Sequence, residues 1–521
     1  MNFIAIKNDL QQKGLLNLAK DFKNATGKFA LLLYKEEIER ALKTPGFSGF
    51  QLLDLHDFPG QSTALVGILN PFWESKGFTT PEEHRRWCSE MVPLIRYTKA
   101  VYTNNETFDA SIEVANFYKP LKNVVLEVEI FIGSEKLYHS EIKATEILVG
   151  NGQNLGSISY PLSGIKKAAK IKVSVSIKET AYKNDWDIFV YPENINYPEV
   201  NVPEGVFVTR SFSEAEAWLK EGKTVLLNPP LNAMKGITGK FVPVFWSPVH
   251  FPNQPGTMGI LCNPSHPALK DFPTDYHSNW QWWDLNINSK VVNADTLGGQ
   301  PILTVIDNFF RNRNLSVLLE GKAGNGKLMF CTIDLNTDIE NRPAARQLLL
   351  SLLNYMNSKA FNPSSSIDLE KLMHINVLKI NSISKILDCS SHDSSYPPEA
   401  ALDGDKNTFW HTAWGQNIKN HPHHIAFELA KETEIAGFTY VPRQDNNPNG
   451  FVARYEFYVG YDAKNWGTPI SSGTFEFSTQ PQTVHFKTSV KAKYIKFNVL
   501  EGFDTQPFAS VAELELILAN K

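Results

Sequence analysis

The stretch Ala400-Ala-Leu-Asp-Gly-Asp-Lys-Asn-Thr-Phe-Trp410 decides how the end of this chain is read. It sets Asp403 and Asp405 on either side of a glycine, adds the Thr408 hydroxyl and closes on Trp410. Hard cations take roughly six to eight oxygen ligands, and a short acidic loop with a glycine turns tightly enough to gather them. Glu513, in an expected final strand, supplies a further carboxylate. Beside the loop, His411 and Trp414 set a polar ring next to a flat apolar one, and Arg443 and Asn449 follow downstream. Hydrogen-bonding groups beside an aromatic face are what a sugar ring needs. The pattern therefore predicts a cation-stiffened β-sandwich that binds carbohydrate. His421, His423 and His424 also cluster, but Pro422 and the short spacing argue against a metal site there.

Upstream, the rest of the 521 residues is long enough for several domains. Fifty-one basic against 55 acidic residues leave a net charge of −4 with no basic run, which argues against a nucleic-acid partner. Cys88, Cys262, Cys331 and Cys389 are widely spaced and form no CxxC, so neither a disulfide framework nor zinc is expected. The start, Met1-Asn-Phe-Ile-Ala-Ile-Lys7, lacks the pattern of a signal peptide, and no apolar run is long enough to span a membrane.

Residues 1–45 carry apolar side chains at helical spacing, and Lys35, Glu36, Glu37 and Glu39 read as the solvated face of that helix. Gly49-Phe-Gln-Leu-Leu-Asp-Leu-His-Asp-Phe58 reads as one buried strand with a polar end, where Asp54, His56 and Asp57 would position a substrate. A helix capped at Thr79 or Thr80 is expected over 79–94. From 97 to 192 the alternation Val124-Val-Leu-Glu-Val-Glu-Ile-Phe-Ile132 and its like predict an immunoglobulin-like β-sandwich. A proline-rich stretch near 192–203 ends it. Residues 193–360 alternate strands and helices, as in an α/β open-sheet domain. Within it, Gly321-Lys-Ala-Gly-Asn-Gly-Lys-Leu328 nearly spells a phosphate-binding loop, but it joins two strands and offers no hydroxyl at Leu328, so it reads as a turn. Cys262 reads as a buried structural thiol. Trp280, Trp282 and Trp283, with His277, either line a pocket or pack an interdomain face. Asn362–Ser366 reads as a second linker, and 366–521 as an all-β domain.

Two resemblances sharpen this outline. Ala401-Leu-Asp-Gly-Asp405, Thr408-Phe-Trp-His411, Tyr440-Val-Pro-Arg-Gln444, Tyr455-Glu-Phe-Tyr-Val459 and Ala509-Ser-Val-Ala-Glu-Leu514 resemble the coagulation factor 5/8 type C family, the discoidin-like sandwich also called family 32 carbohydrate-binding modules. The resemblance implies a structural Ca²⁺ held by Asp403, Asp405, Thr408 and Glu513, with carbonyls near Ala400 and Ala512. It also implies a galactose-type site at His411, Trp414, Arg443 and Asn449, with Phe503 or Phe508 as a second aromatic. Many members carry Trp after a His-Pro-His run, where this chain has His424.

Gly49–Gln61 and Phe72-Trp-Glu-Ser-Lys-Gly77 resemble the C-terminal part of bacterial glycoside hydrolases of family 2, the β-galactosidase-like type. That implies a partial (β/α)8 barrel over 1–96 and an amidotransferase-like α/β domain over 193–360. Glycoside hydrolysis needs two carboxylates flanking the bond. Both glutamates of that family match no position here, so the resemblance supplies no catalytic residue. It does imply a parent acting on polysaccharide or glycan in the periplasm or outside the cell. The expectation is a carbohydrate-binding C-terminal portion of such a hydrolase. The alternatives are a stand-alone glycan binder and one half of a split glycosidase with a separately encoded N-terminal partner.

Overall fold

The computed structural model describes residues 2–519 except 54, 59, 61–64, 194–201, 244–256, 377–382, 394, 403–405, 416–417, 446 and 504–505. The chain forms two compact units, one of Met1–Asn228 with Thr238–Asp368 and one of Pro229–Ile237 with Leu369–Lys521.

The first unit opens with helices Asn2–Gln12 and Ala19–Lys43. Gly27 lies inside the second, where a Cβ would sit 2.3 Å from the Phe78 ring, so the missing side chain is what lets that ring pack onto the helix. Residues 49–58 do not form the expected strand: the described part holds isolated bridge positions at His56, paired with Leu69, and at Phe58, and Leu53 is 76% exposed. An apolar run sits still as a strand only where a neighbouring strand takes its backbone groups. Among the described residues of 1–96, strand–helix alternation of the barrel type is accordingly not seen. The helix expected over 79–94 stops early. Thr80 and Glu83 form a capping box around Pro81–Arg85, and Met91–Arg96 is already a strand.

That strand begins a two-sheet layer structure. One antiparallel sheet has the order Met91–Arg96, Thr107–Asn116, Gly150–Pro161. The other runs Val101–Thr103, Lys183–Tyr191, Ala169–Ile177, Leu121–Ile132, Glu135–Ile147. Register places Leu126 opposite Ile177, Val128 opposite Val175 and Ile130 opposite Val173, so each pair buries aliphatic side chains on one face. Each such residue contributes about 1.5–3 kcal/mol by leaving water.

The α/β region follows, as expected from the alternation. Val206–Thr209, Thr224–Leu227 and Gly326–Cys331 pair in parallel, and helix Phe212–Lys220 makes the first crossover. Asn314–Ala323 and Gln300–Asp307 extend the sheet antiparallel. Gly324 turns a hairpin between two of these strands, which accounts for the glycine-rich 321–328 segment. The expected linker at 362–366 is pinned along the sheet instead. Lys322 N donates to Ser365 O at 2.8 Å, and Ile367 N donates to Lys322 O at 2.7 Å.

The second unit is an antiparallel sandwich. Its main sheet runs Ile383–Cys389, His423–Val441, Gln482–Gly502, Val452–Gly460, Ser471–Thr474, with Glu513–Leu518 also on His423–Val441. Trp410–His411 pairs with Ser510–Val511. The core is aromatic: Phe438 stacks on Phe457 at 4.1 Å, and Tyr440 and Tyr455 both stack on Phe475. Pro229–Ile237, expected inside the α/β domain, belongs to this unit, where Lys235 N donates to Ile375 O at 2.8 Å.

Candidate functional site

One end of the second sandwich gathers the residues singled out around 400–450. Register sets Trp410 opposite Val511 and His411 opposite Ser510, and Thr412 Oγ1 accepts from Ala509 N at 3.0 Å. Gly450 lies at φ +82°, and a Cβ there would meet the backbone of Ala509 and Ser510 at 2.9 Å. Only glycine both adopts that backbone and permits that approach. Ser510 N then donates to Gly450 O at 2.7 Å, tying the 443–450 loop to the His411 strand.

His411 is fully buried, with Nδ1 at 2.6 Å from Thr412 O. A carbonyl oxygen only accepts, so Nδ1 carries the proton and Nε2 presents a lone pair. Nε2 has no hydrogen-bond partner among the described residues. Burial lowers the imidazole pKa, and the Arg443 charge adds to this, against the opposing Thr412 carbonyl and Asp393 and Asp445. The neutral ring is the form at neutral pH.

Arg443 donates from Nε to Asp445 at 2.8 Å and from Nη1 to Asn449 O at 3.3 Å, with its guanidinium 4.1 Å from the Phe409 ring centroid. Asp445 is held below the usual carboxylate range by Arg443, although burial opposes this as the largest single influence. Asn449 Oδ1 is buried and has no hydrogen-bond partner. Trp414, 39% exposed, stands edge-on to His411 at 4.6 Å and packs on Tyr396 at 5.0 Å. Phe508 lies 5.5 Å from His411. Phe503 packs on Phe477 instead.

All four of His411, Trp414, Arg443 and Asn449 thus fall in one neighbourhood, and between the two aromatics the geometry puts Phe508 beside His411. Sequence reasoning missed Tyr396, Phe409 and Asp445. Asp445 carried a local signal, a carboxylate two positions from the arginine it orients, and Phe409 lies within the Thr408–His411 motif itself. Tyr396 arrives from a separate loop. The site can offer two unmatched acceptors, guanidinium donors and an exposed indole face, which suits a polyhydroxylated ring.

Asp403 and Asp405 lie outside the described residues. Ala400 sits in the turn Pro398–Ala401, which packs beside strand Glu513–Leu518. Glu513 is 1% exposed at the head of that strand, directly after the buried Ala512. Thr408 lies in the loop before Trp410. The donors that are described are oxygens on adjoining segments, and a carboxylate withdrawn from water favours a positive charge nearby, so they fit a hard cation. His423 bonds Ser390 and Pro507 O, and His424 bonds Asp388, whereas both ring nitrogens of His421 lack a hydrogen-bond partner among the described residues.

In the first unit, Asp54 lies outside the described residues. Asp57 is buried, accepting from Gly67 N at 3.0 Å and paired with Lys76. His56 bonds the Asp57 carbonyl and packs at a tilt against Trp73, with ring centroids 4.6 Å apart. Glu39 is no solvated side chain: it is 1% exposed and accepts from Asn184 Nδ2 and Trp186 Nε1, each at 2.8 Å. Trp280 and His277 line a cleft, while Trp282 is core. All four cysteines are free, and burial raises the Cys262 thiol to about 12, far from a nucleophile's range.

Residues 386–514 match the F5/8 type C domain family, and the chain carries such a domain at its C-terminal end. Residues 106–192 and 207–376 match two domains of unknown function, DUF8488 and DUF8487. A galactose oxidase of Gibberella zeae is 33% identical over 133 residues, covering 25% of this chain and 19% of that protein. A sialidase of Micromonospora viridifaciens is 37% identical over 116 residues, covering 22% and 18%. The match therefore spans about a fifth of the length of these relatives. Among solved structures, a family 32 module of C. perfringens NanJ in complex with galactose is 30% identical, covering 25% of this chain and 90% of that chain, with a TM-score of 0.23. Among the described residues no helix is long and apolar enough to cross a membrane.

Proposed function

We propose that this chain binds carbohydrate through its F5/8 type C domain and is the carbohydrate-binding C-terminal portion of a glycoside hydrolase acting on polysaccharide or glycan. The observation that carries the reading is the convergence of His411 Nε2 and Asn449 Oδ1, both unmatched, with the Arg443 guanidinium beside the exposed Trp414. Buried acceptors without partners are costly unless a ligand supplies hydrogen. Sugar hydroxyls do so while the ring stacks on indole. The family resemblance at these four positions supports a galactose-type ring, with Phe508 or Phe503 as the further aromatic. A structural Ca²⁺ held by Asp403, Asp405, Thr408, Glu513 and carbonyls of Ala400 and Ala512 would fix the loop, and its role is positional.

The hydrolase half of the proposal rests on the family 2 resemblance of residues 49–77, with 97–192 as an immunoglobulin-like sandwich and 193–360 as an amidotransferase-like domain. The parent would act in the periplasm or outside the cell. Under the alternative of a split glycosidase, the partner would be a separately encoded N-terminal glycosidase portion. The apolar side chains exposed between Phe47 and Trp73, with Phe72 at 81%, support a missing covering surface there. A stand-alone binder is the second reading, and it predicts a monodisperse chain that hydrolyses nothing.

Calorimetric titration with galactose, N-acetylgalactosamine and glucose, before and after EDTA, tests the proposal. Millimolar-to-micromolar affinity, about −4 to −8 kcal/mol, and a melting transition lowered by EDTA are expected. A folded chain that binds none of these sugars with calcium present sinks the sugar site.

A further inference from the structure

A second site lies in the first unit, independent of the F5/8 type C domain. A cleft of about 220 Å³ opens between helix Ala19–Lys43, the segment 79–97, strand Lys183–Tyr191 and the loop 275–280. Its walls combine Leu31 and Leu32 with the rings of Tyr97, Trp186 and Trp280. Two buried polar atoms on residues lining it lack partners, and they have opposite roles. Arg86 donates from Nη1 to Asp185 at 2.8 Å, which leaves Nε–H unmatched. Asn279 is 6% exposed, and its Nδ2 donates to Asp275 Oδ2 at 2.9 Å. A carboxylate only accepts, so this bond fixes the amide orientation and leaves Oδ1, an acceptor, unmatched.

That pairing narrows the ligand. An ammonium group would satisfy Asn279 Oδ1 and leave Arg86 Nε–H stranded. A carboxylate or phosphate would do the reverse, and would face the carboxyl groups of Asp185, Asp187 and Asp275 on the same walls. A hydroxyl donates and accepts, so a neutral ligand with several hydroxyls meets both atoms. Its C–H faces would lie against the indole and leucine walls. We infer that this cleft is a binding site for a single neutral sugar ring, separate from the His411 site.

The test uses the full chain with Arg443→Ala, which silences the F5/8 type C site, and follows hydrogen exchange peptide by peptide during titration with galactose, N-acetylgalactosamine, glucose and mannose. At least one sugar is expected to protect peptides covering 28–39 and 275–280. Asn279→Leu is expected to weaken that protection tenfold or more. Because a buried substitution can unfold its surroundings, Trp280→Ala, at a partly exposed ring, serves as a second variant, with melting profiles recorded for both. Loss of protection in a variant that still melts cooperatively supports the site. Absence of protection by all four sugars in the tens of millimolar overturns it and leaves the cleft to water, as does protection indifferent to both variants. Protection confined to 407–414 and 443–450 reports on the other site alone, and likewise overturns this one.

Discussion

Two β-sandwiches lie in this chain, and they are finished differently. The sandwich of residues 91–191 is filled with aliphatic pairs, and its charged face groups satisfy each other: Lys178 meets Glu141 at 2.8 Å, and Lys172 meets Asp185 at 3.2 Å. Even Glu127, His139 and Glu141, which lie close enough together to suggest a metal, have Lys178 among them. The sandwich of residues 91–191 also buries unmatched atoms, on Tyr102, Glu113 and Ser140, but its one indole, Trp186, is buried. The sandwich of residues 383–518 is filled with rings and sets the unmatched His411 Nε2 and Asn449 Oδ1 beside the exposed indole of Trp414. Matched charges make a surface that is content in water. Unmatched buried atoms beside an exposed ring make a surface that awaits a ligand.

The largest break in this comparison comes from the cores. Phe438→Ala removes a fully buried ring that stacks on Phe457, and it is expected to cost the second sandwich about 3–5 kcal/mol. Ile188→Val in the first removes one buried methylene and is expected to cost about 0.5–1.5 kcal/mol. Denaturant titration resolves the two. Equal costs would mean that the aromatic core is loosely packed.

A smaller effect separates binding from folding. Trp414→Ala takes away an exposed face, so galactose affinity is expected to fall about tenfold, or 1.4 kcal/mol, with the melting profile unchanged. A melting shift without an affinity change would make Trp414 a packing residue.

Smallest is the response to acid. Burial lowers the folded-state pKa of both His411 and His423. The unfolded chain therefore binds protons first as pH falls, so this contribution to stability is complete above about 6.5 and declines below it. Sugar affinity is expected to hold at the onset of that decline and to fall only at lower pH, where the folded-state ring itself takes up a proton and loses the Nε2 acceptor. His411→Gln should flatten the affinity profile, and an unaltered profile would assign the loss to other groups.

Legibility in the sequence followed the range of the interactions. His411, Trp414, Arg443 and Asn449 were readable because the motifs that carry them are short and local. The Arg443–Asp445 pair, two positions apart, was within reach of the same reasoning. Tyr396 was not, nor was the choice of Phe508 over Phe503, since loop closure around Gly450 and the Trp410–His411 pairing decide which rings meet. Glu39 misled for the same reason: a helical carboxylate among lysines looks solvated until Asn184, 145 residues away, covers it. The strand–helix alternation read over 193–360 is the one observed, with strands at 206–209, 224–227 and 300–307. Period failed at 49–58, where an apolar run has no described strand beside it.

The central claim is that sugar binding at the C-terminal end runs through Arg443, and calorimetric titration of the wild-type chain and Arg443→Ala with galactose tests it most directly. The account predicts measurable binding by the wild type and at least a tenfold loss in the variant, with the fold of the second sandwich intact by its melting transition. Undiminished binding by a folded Arg443→Ala chain would contradict it.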